Sequence, residues 1–547
     1  MKHTIIICIM IFFTCSSFFA NAQSGVIIND KTFGTNKAER DVKLLKYNTH
    51  LILAGGSGEI GLNGDKTDSS CYLNSLGQRG DNWVLAFDSA FTIMWNYSLG
   101  GTYEEVEVNS LFKSSEGKII FSSRSSSDSS CEKSENSRGG YDYWICALDS
   151  NGNKVWDKTW GSSGNETGPI VTELTSGNFI AGGSAFTGIV NWDKSAIGYG
   201  KWDYWLVKFD STGQKIWDKA FGGSEYERSF DGYFNCLKLL PIPDDQLMLF
   251  GGTNSPIGGT VTALGYGDDD AWIVEIDTNG NQIWDKRYGG SGKDLLVDAI
   301  QVQDGYIAVG ISNSPISGII SDSLNGGFDL WVLKLDSAGN HQWNARYGGS
   351  LEENPVGILQ APDGGYWISA YTTSPVGNDI TEPSYGGKDY WMLKIDSVGN
   401  KLWDKRFGGP GDDYASNFVI MPDSSIYLCG SADSGTSAVK TDAGKGASDY
   451  WVVHFNYYNN SVGVNEIQQQ NSFELSPNPA LDYIEIKGNF NADTEVNLYD
   501  LQGQVLQRRK SGAGNRVVVD VQSLVTGMYL IELKSNKGRC IQKLIKR

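Results

Sequence analysis

The chain has 547 residues, with 64 acidic against 45 basic side chains and a formal net charge of −19, a balance that argues against a nucleic-acid partner. Such a length makes several domains the default expectation, so internal repetition has to be tested before domains are counted. Only 4 histidines occur and no two of them fall at a metal-ligand spacing, which leaves no zinc motif and no metal or cofactor to expect.

Residues 1–22 carry Lys2, an apolar run over 5–13 and the small-residue pattern Ala20-Asn21-Ala22, which reads as a secretory signal peptide cleaved between Ala22 and Gln23. A lipid anchor at Cys15 competes with that reading, but Phe12-Phe13-Thr14 is a poor approach to such a cysteine. No later stretch approaches the ~18 to 20 apolar residues of a spanning helix, so no transmembrane segment is expected. The mature chain is expected to pass through the periplasm and to end up secreted or on the outer cell surface.

From residue 23 to 457 one pattern recurs. An Asp-x-Trp element places tryptophans at 83, 144, 205, 272, 331, 391 and 451, spaced by 59 to 67 residues, and a second tryptophan stands twelve residues beyond each of the first six. Between them runs a tight turn of the form Asp396-Ser-Val-Gly399-Asn400, in which aspartate caps the turn and glycine supplies a positive φ. A glycine pair such as Gly408-Gly409 follows, soon succeeded by an acidic residue and two further short apolar runs. Each unit thus offers four short strands and no helix. A lone sheet of this kind cannot bury both faces, and radial stacking solves that problem, so the expectation is an all-β, seven-bladed β-propeller rather than a linear solenoid.

The seventh unit lacks its second tryptophan, and Gly463 stands there instead. At the start of the mature chain, Ile27-Ile28-Asn29-Asp30-Lys31 lines up with Lys401-Leu402-Trp403-Asp404-Lys405, with Asn29 in the tryptophan position. The N-terminal strand is therefore expected to complete the last blade and leave no open edge. On Asp389, Trp391, Lys394, Asp396, Gly399, Asn400, Trp403, Gly408, Gly409 and Asp413 the chain resembles the seven-bladed β-propeller repeat of bacterial secreted proteins. That resemblance implies a fold and no catalytic site, because propellers host many unrelated functions. Blade one departs most, with Ala86 for the lysine and Ala90-Phe91 for Gly-Asn. The turn is also similar to the tryptophan-docking motif of quinone-dependent dehydrogenases, whose propellers have eight blades.

The seven aspartates two places before the tryptophans (Asp81, Asp142, Asp203, Asp270, Asp329, Asp389, Asp449) read either as a ring for a cation or as a turn hydrogen bond common to every blade, the second being favoured by the way aspartate caps local turns. No catalytic residue is assigned: nucleophile elbow, Walker loop and His-Glu-x-x-His are all missing. Asp268, Asp269, Asp270, Asp412 and Asp413 keep a glycan-active hydrolase open as the alternative, since a carboxylate pair needs a separation that sequence does not show. Variation concentrates in the loops before Asp-x-Trp, where Trp192, Tyr199, Trp202, Tyr266 and Asp268 have the composition of a glycan or protein contact. Decorative loops on a structural spacer are the plainer reading. Cys71 and Cys131 both sit in Asp-Ser-Ser-Cys, in corresponding loops, and are expected to form a disulfide in an exported protein, whereas Cys146 and Cys429 read as buried thiols.

Residues 458–471 form a polar linker, and a β-rich unit follows over 472–547. Its basic balance, 11 against 8, differs from the 34 against 56 of residues 1–471. Ser476-Pro477-Asn478-Pro479, the run from Val496 to Gly503, Gly527-Met528-Tyr529 and Lys543-Leu544-Ile545-Lys546 resemble the C-terminal sorting domain of the type IX secretion system. The resemblance implies a small immunoglobulin-like β-sandwich, a Bacteroidota source, recognition by the type IX machinery, and removal of the domain with surface attachment or release. The reading as a whole is an exported binding or adhesion propeller with a removable address.

Overall fold

The computed structural model describes residues 24–59, 61–69, 80–227 and 236–458, and in the C-terminal part 474–490, 494–500, 505–510, 514–525, 527–535 and 538–546. The signal-peptide boundary at Ala22 and Gln23, Cys71, residues 459–471 of the linker and Gly503 lie outside the described residues. These residues contain no helix and fall into two compact units, the first of which ends at Tyr458.

In the first unit the chain lays down four-stranded antiparallel sheets in strict succession: sheet 1 over 39–99, sheet 2 over 105–160, sheet 3 over 166–221, sheet 4 over 238–288, sheet 5 over 294–347 and sheet 6 over 353–407. Sheet 7 takes three strands from Asp413–Ile420, Ile426–Ala432 and Asp449–Tyr458, and its fourth is the N-terminal strand Ser24–Phe33. The register is that of the other sheets. Asn29 pairs with His454 and Asp30 with Val453, as Trp403 pairs with Lys394 and Asp404 with Leu393 in sheet 6.

A separate hydrophobic cluster fills each junction between successive sheets. One of them joins Leu44, Leu53 and Trp83 of sheet 1 to Tyr427, Tyr450 and Val452 of sheet 7, so the succession returns to its start. First strands touch first strands from sheet to sheet, and that of sheet 7 touches that of sheet 1. The arrangement is propeller-like, and the strand order puts every second-to-third loop and every link between sheets at one end of the strands.

Two aromatic devices set the repeat. The Asp-x-Trp tryptophans are all fully buried, and each donates its indole N–H to the outer-strand residue thirteen positions on: Trp391 to Asp404 Oδ2 at 3.1 Å, Trp272 to Asp285 at 2.9 Å, and Trp451 across the clasp to Asp30 at 2.9 Å. In sheets 1, 3, 4 and 5 the second tryptophan packs on the turn glycine of the next sheet: Trp343 lies against Gly399 (φ +91°) and Trp284 against Gly339, where a Cβ would fall 3.0 and 2.7 Å from the rings. Sheet 7 presents Asn29 instead of a tryptophan to sheet 1. This accounts for the departure of sheet 1 from the repeat, because no ring has to dock there and Phe91 (φ +61°) fills the turn, stacked on Phe87 at 5.6 Å.

The second unit has a three-stranded sheet (Glu474–Ser476, Tyr483–Phe490, Gly514–Asp520) and a four-stranded one (Val505–Lys510, Glu495–Tyr499, Gly527–Ser535, Gly538–Lys546). Ile484, Ile486 and Val519 from one and Val496, Leu498, Ile531 and Leu544 from the other share a single core.

Removing residues 24–33 takes away one whole strand and the acceptor of Trp451, so the thermal transition of the first unit should fall as a unit. Asp30→Ala alone should cost about 1–3 kcal/mol by leaving a buried N–H unsatisfied, measured by denaturant unfolding; an unchanged midpoint in both variants would refute the clasp.

Candidate functional site

Every Asp-x-Trp aspartate that was a candidate cation ligand is buried, at 1 % exposure or less. One carboxylate oxygen accepts the backbone N–H of the residue four positions earlier: Asp142 from Arg138 at 2.6 Å, Asp203 from Tyr199 at 2.6 Å, Asp270 from Tyr266 at 2.9 Å, Asp329 from Asn325 at 2.9 Å, Asp389 from Tyr385 at 3.0 Å and Asp449 from Lys445 at 2.6 Å. In these six the other oxygen has no hydrogen-bond partner. It faces a second buried acid. Twenty-four residues after each of the first six aspartates stands a second acid, Glu105, Glu166, Asp294, Glu353 and Asp413 on the first strand of the next sheet and Glu227 ahead of it, and Glu39 meets Asp449 across the junction of sheets 7 and 1. That second acid accepts the N–H of the glycine-pair loop and a hydroxyl, as Asp413 does from Gly409 at 2.8 Å and Ser434 at 2.6 Å.

The glycine between the two acids is there for want of a Cβ. At Gly222 a methyl would fall 2.3 Å from Asp203 Oδ1 and 2.4 Å from Glu227 Oε2, and at Gly408 it would fall 2.1 Å from Asp389 Oδ1. Such neighbours cannot both ionise at low cost in a buried setting. Burial and the adjoining carboxylate push Glu39, Glu105, Asp142 and Asp203 up to about 7, and Asp270 and Asp413 up to about 6.

The cation of each sheet is built in, and it arrives by one of two routes. In sheets 1, 2, 3 and 7 a loop lysine is buried against the two acids of its own sheet: Lys66, Lys133, Lys194 and Lys440. In sheets 4, 5 and 6 that loop position is Val261, Ile320 or Ile380, and an outer-strand arginine, Arg287, Arg346 or Arg406, takes over. Where the lysine is used, the arginine position shrinks to Ser98, Thr159, Ala220 or Thr32. In sheets 2 and 7 the ammonium then bonds that small residue: Lys133 Nζ to Thr159 Oγ1 at 2.7 Å and Lys440 Nζ to Thr32 Oγ1 at 2.9 Å. Sequence reading missed these cations. Aligning sheets 2 to 6 on tryptophan would have revealed them, since one column trades Lys for Val or Ile wherever another trades Thr or Ala for Arg.

The proposed hydrolytic carboxylates do not converge. Asp268 is exposed, Asp269 pairs with Lys293 at 3.3 Å, Asp412 accepts the Lys388 N–H at 3.0 Å, and Asp270 and Asp413 belong to two different buried acid pairs. Of the loop candidates, Trp192 is 71 % exposed with φ +52°, while Trp202 is half-buried against Phe186. Tyr199 and Tyr266 keep 47 % and 45 % of their surface exposed, but each also packs on a glycine of the next loop, Gly259 and Gly318. Cys131 is disulfide-bonded, and Cys146, Cys236 and Cys429 are buried free thiols. His454 stacks on Tyr427 at 3.9 Å and bonds Asn29, and the described residues contain no cluster of metal-ligating side chains. A groove of about 610 Å³ along sheet 1 is lined by Asp65, Asp68, Met94, Trp95 and Tyr97.

In the second unit Asn478 ties the motif residues together, donating to the Lys543 carbonyl at 2.8 Å and accepting the Ile545 N–H at 2.9 Å. Pro477 and Pro479 follow cis peptide bonds, Gly527 opens the strand that carries the buried Tyr529, and Lys546 ends the last strand.

Two outcomes follow from the buried charges. Because the raised acids hold protons in the folded state that the unfolded chain releases, their stabilisation is full below the unfolded carboxylate range, near 4, and is lost as pH rises through about 7. The thermal midpoint should therefore fall between about pH 4 and 7; a rise over that window would refute shared protons. Arg406→Thr should cost about 3–5 kcal/mol by stranding buried acids, and adding Ile380→Lys should restore most of it, as read by denaturant unfolding.

Residues 474–547 match the family model for the secretion system C-terminal sorting domain. Over 238 residues the chain is 22 % identical to the regulatory protein FlaEY of Caulobacter vibrioides, covering 41 % of this chain and 24 % of that protein. Over 134 residues it is 28 % identical to an uncharacterized WD repeat-containing protein of Acanthamoeba polyphaga mimivirus, covering 22 % of this chain and 10 % of that one. It thus spans about a quarter or less of the curated relatives that it matches. Among solved structures it is similar to Kuenenia stuttgartiensis hydrazine synthase (11 % identity, TM-score 0.39, covering 73 % of this chain and 94 % of that one) and to the Neurospora crassa Pan2 WD40 domain (8 %, 0.35, 78 % and 95 %). No helix among the described residues is long and apolar enough to cross a membrane. The sorting domain indicates export through type IX secretion to the cell surface or into the medium.

Proposed function

We propose that the first unit is a closed seven-bladed β-propeller of the bacterial secreted repeat type that binds a glycan or protein through its loop face, and that the second is an immunoglobulin-like sandwich that addresses it for export. The observation that carries the binding reading is a set of aliphatic side chains left exposed at one loop position, four residues before the buried lysine or its apolar substitute. Leu62, Val190, Ile257, Ile316 and Val376 stand there at 68, 49, 57, 65 and 57 % exposure. They share the second-to-third loops with Trp192 (71 %), Ile197 (75 %) and Leu264 (77 %). Apolar side chains repeated at one end of a molecule with net charge −19 form a contact surface rather than scattered exposure. The proposed bond between Cys131 and Cys71 would brace the corresponding loops of sheets 1 and 2, and Cys71→Ser should free one new thiol in a labelling assay.

The test is a glycan and host-protein array probed with residues 23–458, alongside a hydrolysis screen. Trp192→Ala and Ile257→Ser should each weaken any captured ligand by about tenfold or more, the loss of an anchor of roughly 1.4 kcal/mol or larger. Turnover of an arrayed glycan would favour the hydrolase, and silence on both a surface spacer. For the address, a chain ending at Gln470 should accumulate in the periplasm while the intact chain reaches the surface or the medium shortened in the linker. Surface delivery of the truncated chain, or an exported product that retains Arg547, would count against a removable address.

A further inference from the structure

In the outer strands of sheets 2, 6 and 7 a lysine two places beyond the second tryptophan, or beyond Asn29, pairs with an acid of the second-to-third loop: Lys158 with Glu135 at 2.9 Å, Lys405 with Glu382 at 2.9 Å and Lys31 with Asp442 at 3.1 Å. The outer strand itself fixes that acid. Glu135 accepts the Thr159 N–H at 3.2 Å and Asp442 the Thr32 N–H at 2.8 Å. Asp68 stands in the same place in sheet 1, accepting the Ser98 N–H at 3.1 Å, but the lysine opposite it is replaced by Tyr97. Sheet 5 has Ala345 at that strand position, and there Arg346 bonds the carbonyl of the loop acid Asp322 instead.

A second lysine of the repeat is missing beside it. Lys154, Lys215 and Lys401, two places before the second tryptophan, donate to the loop carbonyls of Glu132, Asp193 and Asp379 and pair with the outer-strand acids Asp157, Asp218 and Asp404. Sheet 1 has Ile93 there, which cannot donate to the Asp65 carbonyl, the counterpart of those three, and Asn96 in place of the outer-strand acid. That exchange removes one charge of each sign. The exchange of lysine for Tyr97 removes only the positive one, and among the described residues Asp68 has no ion pair. Of the cations near it, Lys66 bonds the Glu59 carbonyl and divides its charge among Asp81, Glu39, Glu59 and Asp68, and Lys445 pairs with the Asp65 carboxylate. The groove of about 610 Å³ along sheet 1 lies at these same positions: Asp65, Asp68, Ile93 and Tyr97 all line it, with Met94 and Trp95. Such an aromatic wall suits an ammonium, since Lys286 of sheet 4 lies 5.0 Å over the Trp284 ring.

We propose that the groove of sheet 1 binds a primary alkylammonium group, of a free amine or of a lysine side chain, with the ammonium on the Asp68 carboxylate and the alkyl chain along Ile93 and Met94. The occupant is read from the chain itself, because in three other sheets a lysine of this protein holds the equivalent acid. One unbalanced carboxylate calls for one positive charge. The site is independent of the loop-face reading, since it takes a cation and uses none of the exposed aliphatic tips.

Met94 reports on the groove. The full mature chain is labelled with carbon-13 at its methionine methyl groups, Met94→Leu assigns the signal, and n-butylammonium chloride is titrated against sodium chloride at constant ionic strength, with n-butanol as the neutral isostere. The expected result is a saturable shift of the Met94 signal with the ammonium alone. Asp68→Asn keeps an acceptor for the Ser98 N–H and should weaken the response by about tenfold or more, the loss of a charge-assisted hydrogen bond. Tyr97→Lys restores the cation that the other sheets carry and should abolish it. The methylamide of Nα-acetyl-lysine separates the two sources: tighter binding than that of n-butylammonium assigns a lysine side chain, and equal or weaker binding a free amine. A linear response, an equal effect of n-butanol, or an unchanged response in either variant would each overturn the site. Should Asp68→Asn fail to fold, Tyr97→Lys and the comparison with n-butanol decide.

Discussion

The first unit depends on a ring of buried charge that crosses every junction between sheets. Fourteen carboxylates, two per sheet, alternate with seven lysine or arginine cations, and each acid pair meets over a glycine that cannot be replaced without a collision. Burying this many charges in water's absence is costly unless they compensate one another. One proton per acid pair would bring the ring to neutrality, in keeping with the way burial, and to a lesser degree the adjoining carboxylate, raises Glu39, Glu105, Asp142 and Asp203. A hydroxyl satisfies part of the second acid of a pair, as the Thr372–Glu353 bond shows.

The ring also explains which substitutions the repeat tolerates. A lysine from a loop and an arginine from an outer strand reach the same place from opposite sides, so the repeat can exchange one for the other only if both columns change together. Sheet 6 with Ile380 and Arg406 and sheet 2 with Lys133 and Thr159 are two solutions to one electrostatic requirement. The turn glycines behave likewise. Gly399 is needed because Trp343 docks on it, and sheet 1 does without because sheet 7 sends Asn29 to the junction.

Since the walls of all seven sheets are made by the same chemistry, individuality is confined to positions that the wall does not use. These are the tips of the second-to-third loops and the outer-strand positions on either side of the second tryptophan, Ile93 and Tyr97 in sheet 1. The first carries exposed apolar surface, and the second leaves Asp68 without the lysine that Glu135 and Asp442 have. Acids that a sequence reader would group for catalysis, such as Asp268 to Asp270, are split between solvent, an ion pair with Lys293 and the ring.

By itself the sequence determined the strand count of each repeat, the phase of its two tryptophans, the role of Asn29 in the last sheet and the sorting unit at the end. These are local or periodic properties: turn chemistry, alternation and a spacing of twelve residues are written along the chain. It also implied that the Asp-x-Trp aspartates are turn acceptors, which they are, through one oxygen. What the other oxygen faces was decided only by the tertiary structure, because its partner belongs to the next sheet. So were the buried cations, which come from two non-equivalent sequence positions that meet at one point in space. The groove of sheet 1 was beyond reach for the same reason: Asp68 lies in a loop and Tyr97 in an outer strand, and only the folded sheet sets that acid beside the strand position where other repeats carry its lysine.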